Sequence, residues 1–118
     1  MARIQTQSIF LLRQNFKNDF ALINQINSAS GSVIDNIAEG FERLSTKEFA
    51  QFLVIAKESN GEVSSQLYRA FDRSYFSEEI LNEKLSYSET IGKSPVKLST
   101  NFSVRPFCND KKLCKLLC

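Results

Sequence analysis

From Phe49 to Phe71 the chain repeats Phe49, Phe52, Leu53, Ala56, Asn60, Val63, Leu67, Ala70 and Phe71 at spacings of three and four. Held over six turns, that spacing predicts an α-helix with one core-facing stripe. Unbroken from Thr46 to Arg73 it would run about 42 Å at 1.5 Å per residue, even though Gly61 in its middle costs about 1 kcal/mol against alanine. A stripe that long is covered only by neighbours of similar length, so the chain is committed to packing helix on helix.

The flanking segments supply those neighbours. Ile23, Ile26, Ser30, Val33, Ile37 and Phe41, widened by Ile34 and Ala38, share one side of a 3.6-residue repeat and predict a helix from Phe20 to about Arg43. Ser45 and Glu48 then stand three apart just before Phe49, a capping box that starts the next helix at Thr46, and Ser45→Ala is expected to cost about 1 kcal/mol there. Glu78 and Glu79 suit the first turn of a further helix carrying Ile80, Leu81, Lys84, Leu85, Ser88 and Ile91, which Gly92 and Pro95 are expected to end. A short amphipathic helix over Arg3–Gln14 precedes them all, closed by a polar break at Asn15–Asp19. No strand pattern appears before residue 96. Short connections make these helices antiparallel neighbours, so the expected fold is all-α, an up-and-down four-helix bundle with shortened first and fourth helices and an irregular C-terminal tail.

The 118 residues suffice for one domain, and ten Phe with no Trp can fill its core. No His is present, which removes His-based triads, most zinc sites and the His-containing di-iron sites of helical bundles. Composition therefore argues against the common enzymes, and no cofactor and no small-molecule substrate is expected. The formal charge of +2 is unevenly divided: residues 1–91 hold nine basic and twelve acidic side chains, whereas 92–118 hold six basic and one acidic. Cys108, Cys114 and Cys118 and both prolines also lie in that last stretch. Residues 1–92 are thus expected to form the bundle domain and 93–118 an irregular, basic, Cys-containing tail. No apolar run is long enough for a bilayer, and Gln5, Thr6 and Gln7 stand where a signal peptide would be apolar, so a cytoplasmic protein with reduced thiols is expected.

Several groups invite a chemical reading. Ala29, Ser32, Asn36, Gly40 and Arg43 form a second, small-residue stripe on the Phe20–Arg43 helix, which predicts a close helix or subunit contact with Asn36 hydrogen-bonding across it. Asp35 with Glu39, and Glu58 with Glu62, are carboxylate pairs one turn apart, but both lie off the apolar faces, which predicts a solvated face rather than a catalytic or metal-binding pair. The x5 and x3 spacing of the cysteines lacks the paired ligands of structural zinc, so no metal site is expected. Lys93, Lys97, Arg105, Lys111, Lys112 and Lys115, with Phe102 and Phe107, have the make-up of a loose nucleic-acid-binding arm. On the helices the candidate nucleic-acid contacts are Arg43, Lys47, Lys57, Arg69 and Arg73, although Glu58, Glu62 and Asp72 share the outer face of Arg69 and Arg73 and break any basic stripe.

Ser32-Val33-Ile34-Asp35-Asn36-Ile37-Ala38-Glu39-Gly40-Phe41, followed by Arg43, Ser45, Glu48-Phe49, Phe52-Leu53 and Ile55-Ala56-Lys57, closely resembles the four-helix bundle proteins of 23S rRNA intervening sequences. The likeness runs from about Phe16 to Tyr75 and more loosely to Ile91. It implies an up-and-down bundle assembled as a ring-like homopentamer, without known enzymatic activity, from a family encoded within insertions in bacterial 23S rRNA genes and elsewhere in genomes. The accessory variability proteins of diversity-generating retroelements look similar and bind nucleic acid and a reverse transcriptase. Family members usually carry a longer first helix, basic residues where this chain has Asn27 and Ser28, and a fourth helix continuing past Ile91. On this resemblance Asn36, Glu39, Gly40, Phe41, Arg43, Ser45, Glu48 and Phe49 are signature and packing residues rather than catalytic ones. The expected function is a self-associating scaffold that contacts RNA or nucleoprotein; the alternative is a protein–protein adaptor with no nucleic-acid role, favoured by the acidic balance of residues 1–91.

Overall fold

The computed structural model describes residues 2–100, with side chains through residue 93. Four α-helices follow in order: α1 (Ala2–Leu12), α2 (Phe20–Glu42), α3 (Thr46–Asp72) and α4 (Glu78–Thr100), with a 3-10 turn at Arg13–Phe16 extending α1. No strand occurs among the described residues. Contacts run α1 to α2, α2 to α3, α3 to α4 and α4 back to α1, which closes an up-and-down bundle and sets α1 diagonal to α3. The first helix is short, as expected, at 11 residues.

Two apolar clusters fill the interior. At the end holding the α1–α2 and α3–α4 turns, Ile9, Leu12, Phe16, Leu22, Ile26, Val63, Leu67, Phe76 and Leu81 pack together. Phe16 is fully buried there, its ring 5.6 Å from that of Tyr75 and 6.2 Å from that of Phe76. At the end holding the α2–α3 turn, Ala2, Val33, Ile37, Phe49, Leu53, Ala56 and Ile91 form the second cluster. Between the two lies a buried polar layer. The Gln5 amide donates to Asn60 Oδ1 at 3.0 Å and to Ser88 Oγ at 2.7 Å, and Asn60 Nδ2 donates to the Ser88 carbonyl at 2.7 Å. The Thr6 hydroxyl donates to the Ser30 carbonyl at 3.2 Å, so all four helices meet in this layer.

Two expectations about helix ends are corrected. Helix α4 does not stop at Gly92 or Pro95 but continues to Thr100, 23 residues in all. Gly92 stands inside the helix, and a Cβ there would be in ordinary contact, 3.4 Å, with Asn60 Nδ2. Pro95 forfeits one hydrogen-bond donor, a local loss that need not end a helix. The rest of the expected irregular tail, residues 101–118 with all three cysteines, lies outside the described residues. Ser45 does hold the N-cap position of α3 in extended conformation, but its side chain makes no capping bond. Ser45, Lys47 and Glu48 are exposed, so water satisfies the free amides of that first turn, and the cost expected of Ser45→Ala disappears with the bond.

Both turns at the other end bend through non-glycine residues of positive φ. Lys17 has φ 53° and ψ −123°, and the Asp19 amide donates to the Phe16 carbonyl at 3.0 Å, the geometry of a type II′ turn with lysine where glycine is preferred. Ser74, at φ 62°, follows α3 in a Schellman motif: its amide donates to the Phe71 carbonyl at 2.8 Å and that of Tyr75 to the Ala70 carbonyl at 3.1 Å. Ser74→Gly should therefore raise stability by about 1 kcal/mol in a urea or thermal melt. Asn60→Ala should lower it by about 2 kcal/mol in the same assay, because a Gln5 donor loses its buried acceptor.

Candidate functional site

The signature residues gather where α2 hands over to α3. A Cβ on Gly40 would lie 3.1 Å from the Phe52 Cβ and 3.4 Å from a Phe49 ring carbon, so its absence lets the two helices close together. The Phe41 and Phe49 rings meet at 5.3 Å. Arg43 pairs with Glu39 one turn back, and its guanidinium lies 4.8 Å from the centre of the Phe52 ring. With Arg43 40% and Glu39 51% exposed, solvent screens the pair, and its contribution to stability is about 0.5 kcal/mol or less. Ser45 and Glu48 stand at the exposed start of α3. The expected small-residue contact is the α2–α3 seam itself, with one change of partner. Asn36 donates to the Ser32 carbonyl at 2.7 Å and the Ser32 hydroxyl at 3.0 Å within its own helix, and Ser32 crosses to the Ser59 hydroxyl at 2.9 Å. Asn36 thus orients the residue that crosses, because its short side chain reaches the preceding turn more readily than the neighbouring helix.

The candidate cations do not converge. Arg43 and Lys47 lie at the α2–α3 end, Lys57 midway along α3, and Arg69 and Arg73 at the far end, about 33 and 39 Å from Lys47 along the helix. Three of the five are engaged within the chain: Arg43 by Glu39, Arg73 by Asp19, and Arg69 by Gln25 Oε1 at 3.0 Å. Lys47 and Lys57 are exposed. The carboxylates of Asp35, Glu39, Glu58 and Glu62 are also exposed, and among the described residues no group of three His, Cys, Asp or Glu is placed to hold a metal ion. Outside the seam, Ser28, Ser32, Ser59, Glu62, Gln66 and Arg69 border an open polar groove of about 630 Å³ between α2 and α3.

Two constellations went unmarked in the sequence reading. One is the Gln5–Asn60–Ser88 layer, signalled by Asn60 and Ser88 standing in otherwise apolar stripes. The other centres on Asp19, whose position just before Phe20 is an N-cap signal. Its carboxylate accepts from the Leu22 amide at 3.3 Å, from the Tyr75 hydroxyl at 2.9 Å and from Arg73, tying the start of α2 to the α3–α4 turn. The Tyr75 hydroxyl foremost, then the Leu22 amide and Arg73, hold the Asp19 carboxyl below its ordinary 3.8 against the opposing effect of partial burial. The same bond raises the Tyr75 phenol above its ordinary 10.0.

A carboxyl lowered on folding adds stability that is fully present above its unfolded value of 3.8 and disappears as pH falls through the lower folded value. Asp19→Asn should therefore melt below the parent at neutral pH, with the gap closing under acid. A gap that persists unchanged once the pH is below the folded value as well would show that the charge is not what holds the turns.

The family model described as 23S rRNA-intervening sequence protein matches residues 1–96. No curated protein and no solved structure matches the chain.

Proposed function

The chain belongs to the 23S rRNA-intervening sequence protein family, and from that premise we propose that it is a non-catalytic, self-associating scaffold of the cytoplasm that engages RNA or nucleoprotein. The observation that carries the self-association is large apolar surface on the outside of the bundle, where Ile4 and Leu11 of α1 and Val54 and Tyr68 of α3 are 46% to 65% exposed. The family points to a ring of five copies. Such a ring would repeat the dispersed cations of each bundle around one particle, so that contacts too weak singly would add through effective concentration. No helix among the described residues is long and apolar enough to cross a membrane.

A second reading is favoured by a specific observation. Arg43, Arg69 and Arg73 are already committed to acceptors within the chain, which suits a protein–protein adaptor with no nucleic-acid role. Two measurements separate the readings. Light scattering should give a mass near five times the 13.4 kDa of one chain, and a monomer overturns the scaffold. Retention on RNA should fall steeply between about 50 and 200 mM salt if phosphates are contacted. No retention at low salt leaves the adaptor.

A further inference from the structure

Two exposed faces lie on diagonally opposite sides of the bundle and differ in sign. The outward side of α1 carries Ile4, Phe10 and Leu11, exposed by 53%, 42% and 65%. The Arg13 guanidinium stacks 4.1 Å from the centre of the Phe10 ring, and Arg3 is exposed one residue before Ile4. No carboxylate occurs before Asp19, so this face is apolar and basic. The outward line of α3 runs Val54, Glu58, Gly61, Ser65, Tyr68 and Asp72 at the spacing of one helix face, opposite the buried line of Leu53, Ala56, Val63, Leu67 and Ala70. Val54 and Tyr68 bound it, and a Cβ on Gly61 would meet nothing within 4 Å, which leaves a shallow open centre between two apolar flanks. Glu58, Glu62 and Asp72 are exposed along it, Arg69 is turned to Gln25, and Lys57 stands at the edge.

We propose that the outer face of α1 in one copy docks on the outer face of α3 in the next, with Ile4 and Leu11 seated between Val54 and Tyr68 and Arg3 and Arg13 facing Glu58 and Glu62. The inference rests on the self-association reading and names its surface. Lengths agree: Arg3 to Arg13 spans about 15 Å of helix, within the roughly 21 Å from Val54 to Tyr68. Because α1 and α3 are diagonal in the bundle, each copy offers one face and uses the other, and a head-to-tail contact of this kind passes from copy to copy, closing into a ring where the rotation between neighbours brings the last face back to the first. The short first helix thereby gains a use: its inner side completes the bundle while its outer side is covered by the neighbouring copy. Opposite charges at the rim fix which face meets which.

The test is a charge exchange in the full chain, with dissociation followed by light scattering against dilution and folding checked by circular dichroism. Arg3→Glu with Arg13→Glu, and separately Glu58→Lys with Glu62→Lys, should each shift the dissociation midpoint to about tenfold higher concentration. The four changes together should restore it to near the parent value, a recovery that damage to the fold cannot mimic. An assembled parent whose two paired variants dissociate as it does overturns the docking faces and leaves the self-association reading standing. So does a failure of the fourfold variant to recover. A parent that is monomeric at its highest soluble concentration overturns both. Monomers throughout whose melting temperature falls with Glu58→Lys and Glu62→Lys would assign the acidic face to the basic segment 101–118 of the same chain.

Discussion

The Asn60 side chain sits where the two apolar clusters of the bundle meet, and its bonds set α1 and α4 against α3. Asn60 accepts from Gln5 of α1 and donates to the Ser88 carbonyl of α4. Ser30 of α2 completes the layer through its carbonyl. Aliphatic contacts on either side are non-directional and would tolerate a slide of one helical turn, about 5.4 Å, with modest loss. The polar layer would not, since such a slide sets each amide and hydroxyl against carbon and costs about 1–3 kcal/mol for every group left unpaired. Its chief contribution is therefore register, and with register comes the direction in which the outer sides of α1 and α3 point.

What the sequence made legible, and what it hid, divides along the same line. The starts of α2, α3 and α4 and the ends of α2 and α3 follow from apolar periodicity and turn residues, which act over a few neighbouring positions. The end of α4 does not, because Gly92 and Pro95 have the sequence pattern of a stop yet stand inside a helix that runs to Thr100. Ser45 and Glu48 spell a capping box, yet the spelling carries no information on whether water already satisfies the amides. The small-residue stripe identified a close contact but not its partners: spacing assigns residues to a face, whereas the choice of Ser59 for Ser32, and of Ser32 for Asn36, is made in three dimensions. Asp19 fell within the polar break expected at Asn15–Asp19, and its bonds to Arg73 and Tyr75 span more than fifty residues and leave no local trace.

The distribution of charge limits what one copy can do. Cations separated by the length of α3, three of them already bonded to acceptors, give no continuous patch on a single bundle. A nucleic-acid role for such a surface depends on repetition, because contacts that are negligible singly become appreciable when several are presented at fixed spacing. On the proposed reading, assembly and binding are thus one question: any face that joined copies would determine whether their cations act together.

The two ends of the bundle are built differently, and the difference has a mechanical meaning. Lys17 and Ser74, both at positive φ, occupy turns at the same end, each holding a conformation that costs a side-chain-bearing residue about 1–2 kcal/mol. The opposite connection, through Arg43 and Ser45, is made of ordinary extended backbone and carries the signature residues. Asp19 bridges the two strained turns, and its bonds to Tyr75 and Arg73 oppose the tendency of either to relax. Since that bridge depends on a carboxylate, the strained end is the one that acid loosens, while Gly40, Phe41 and Phe49 close the other end by packing that pH does not touch. The family signature therefore marks the end of the bundle that packing closes, with the solvent-screened Arg43–Glu39 pair a minor addition.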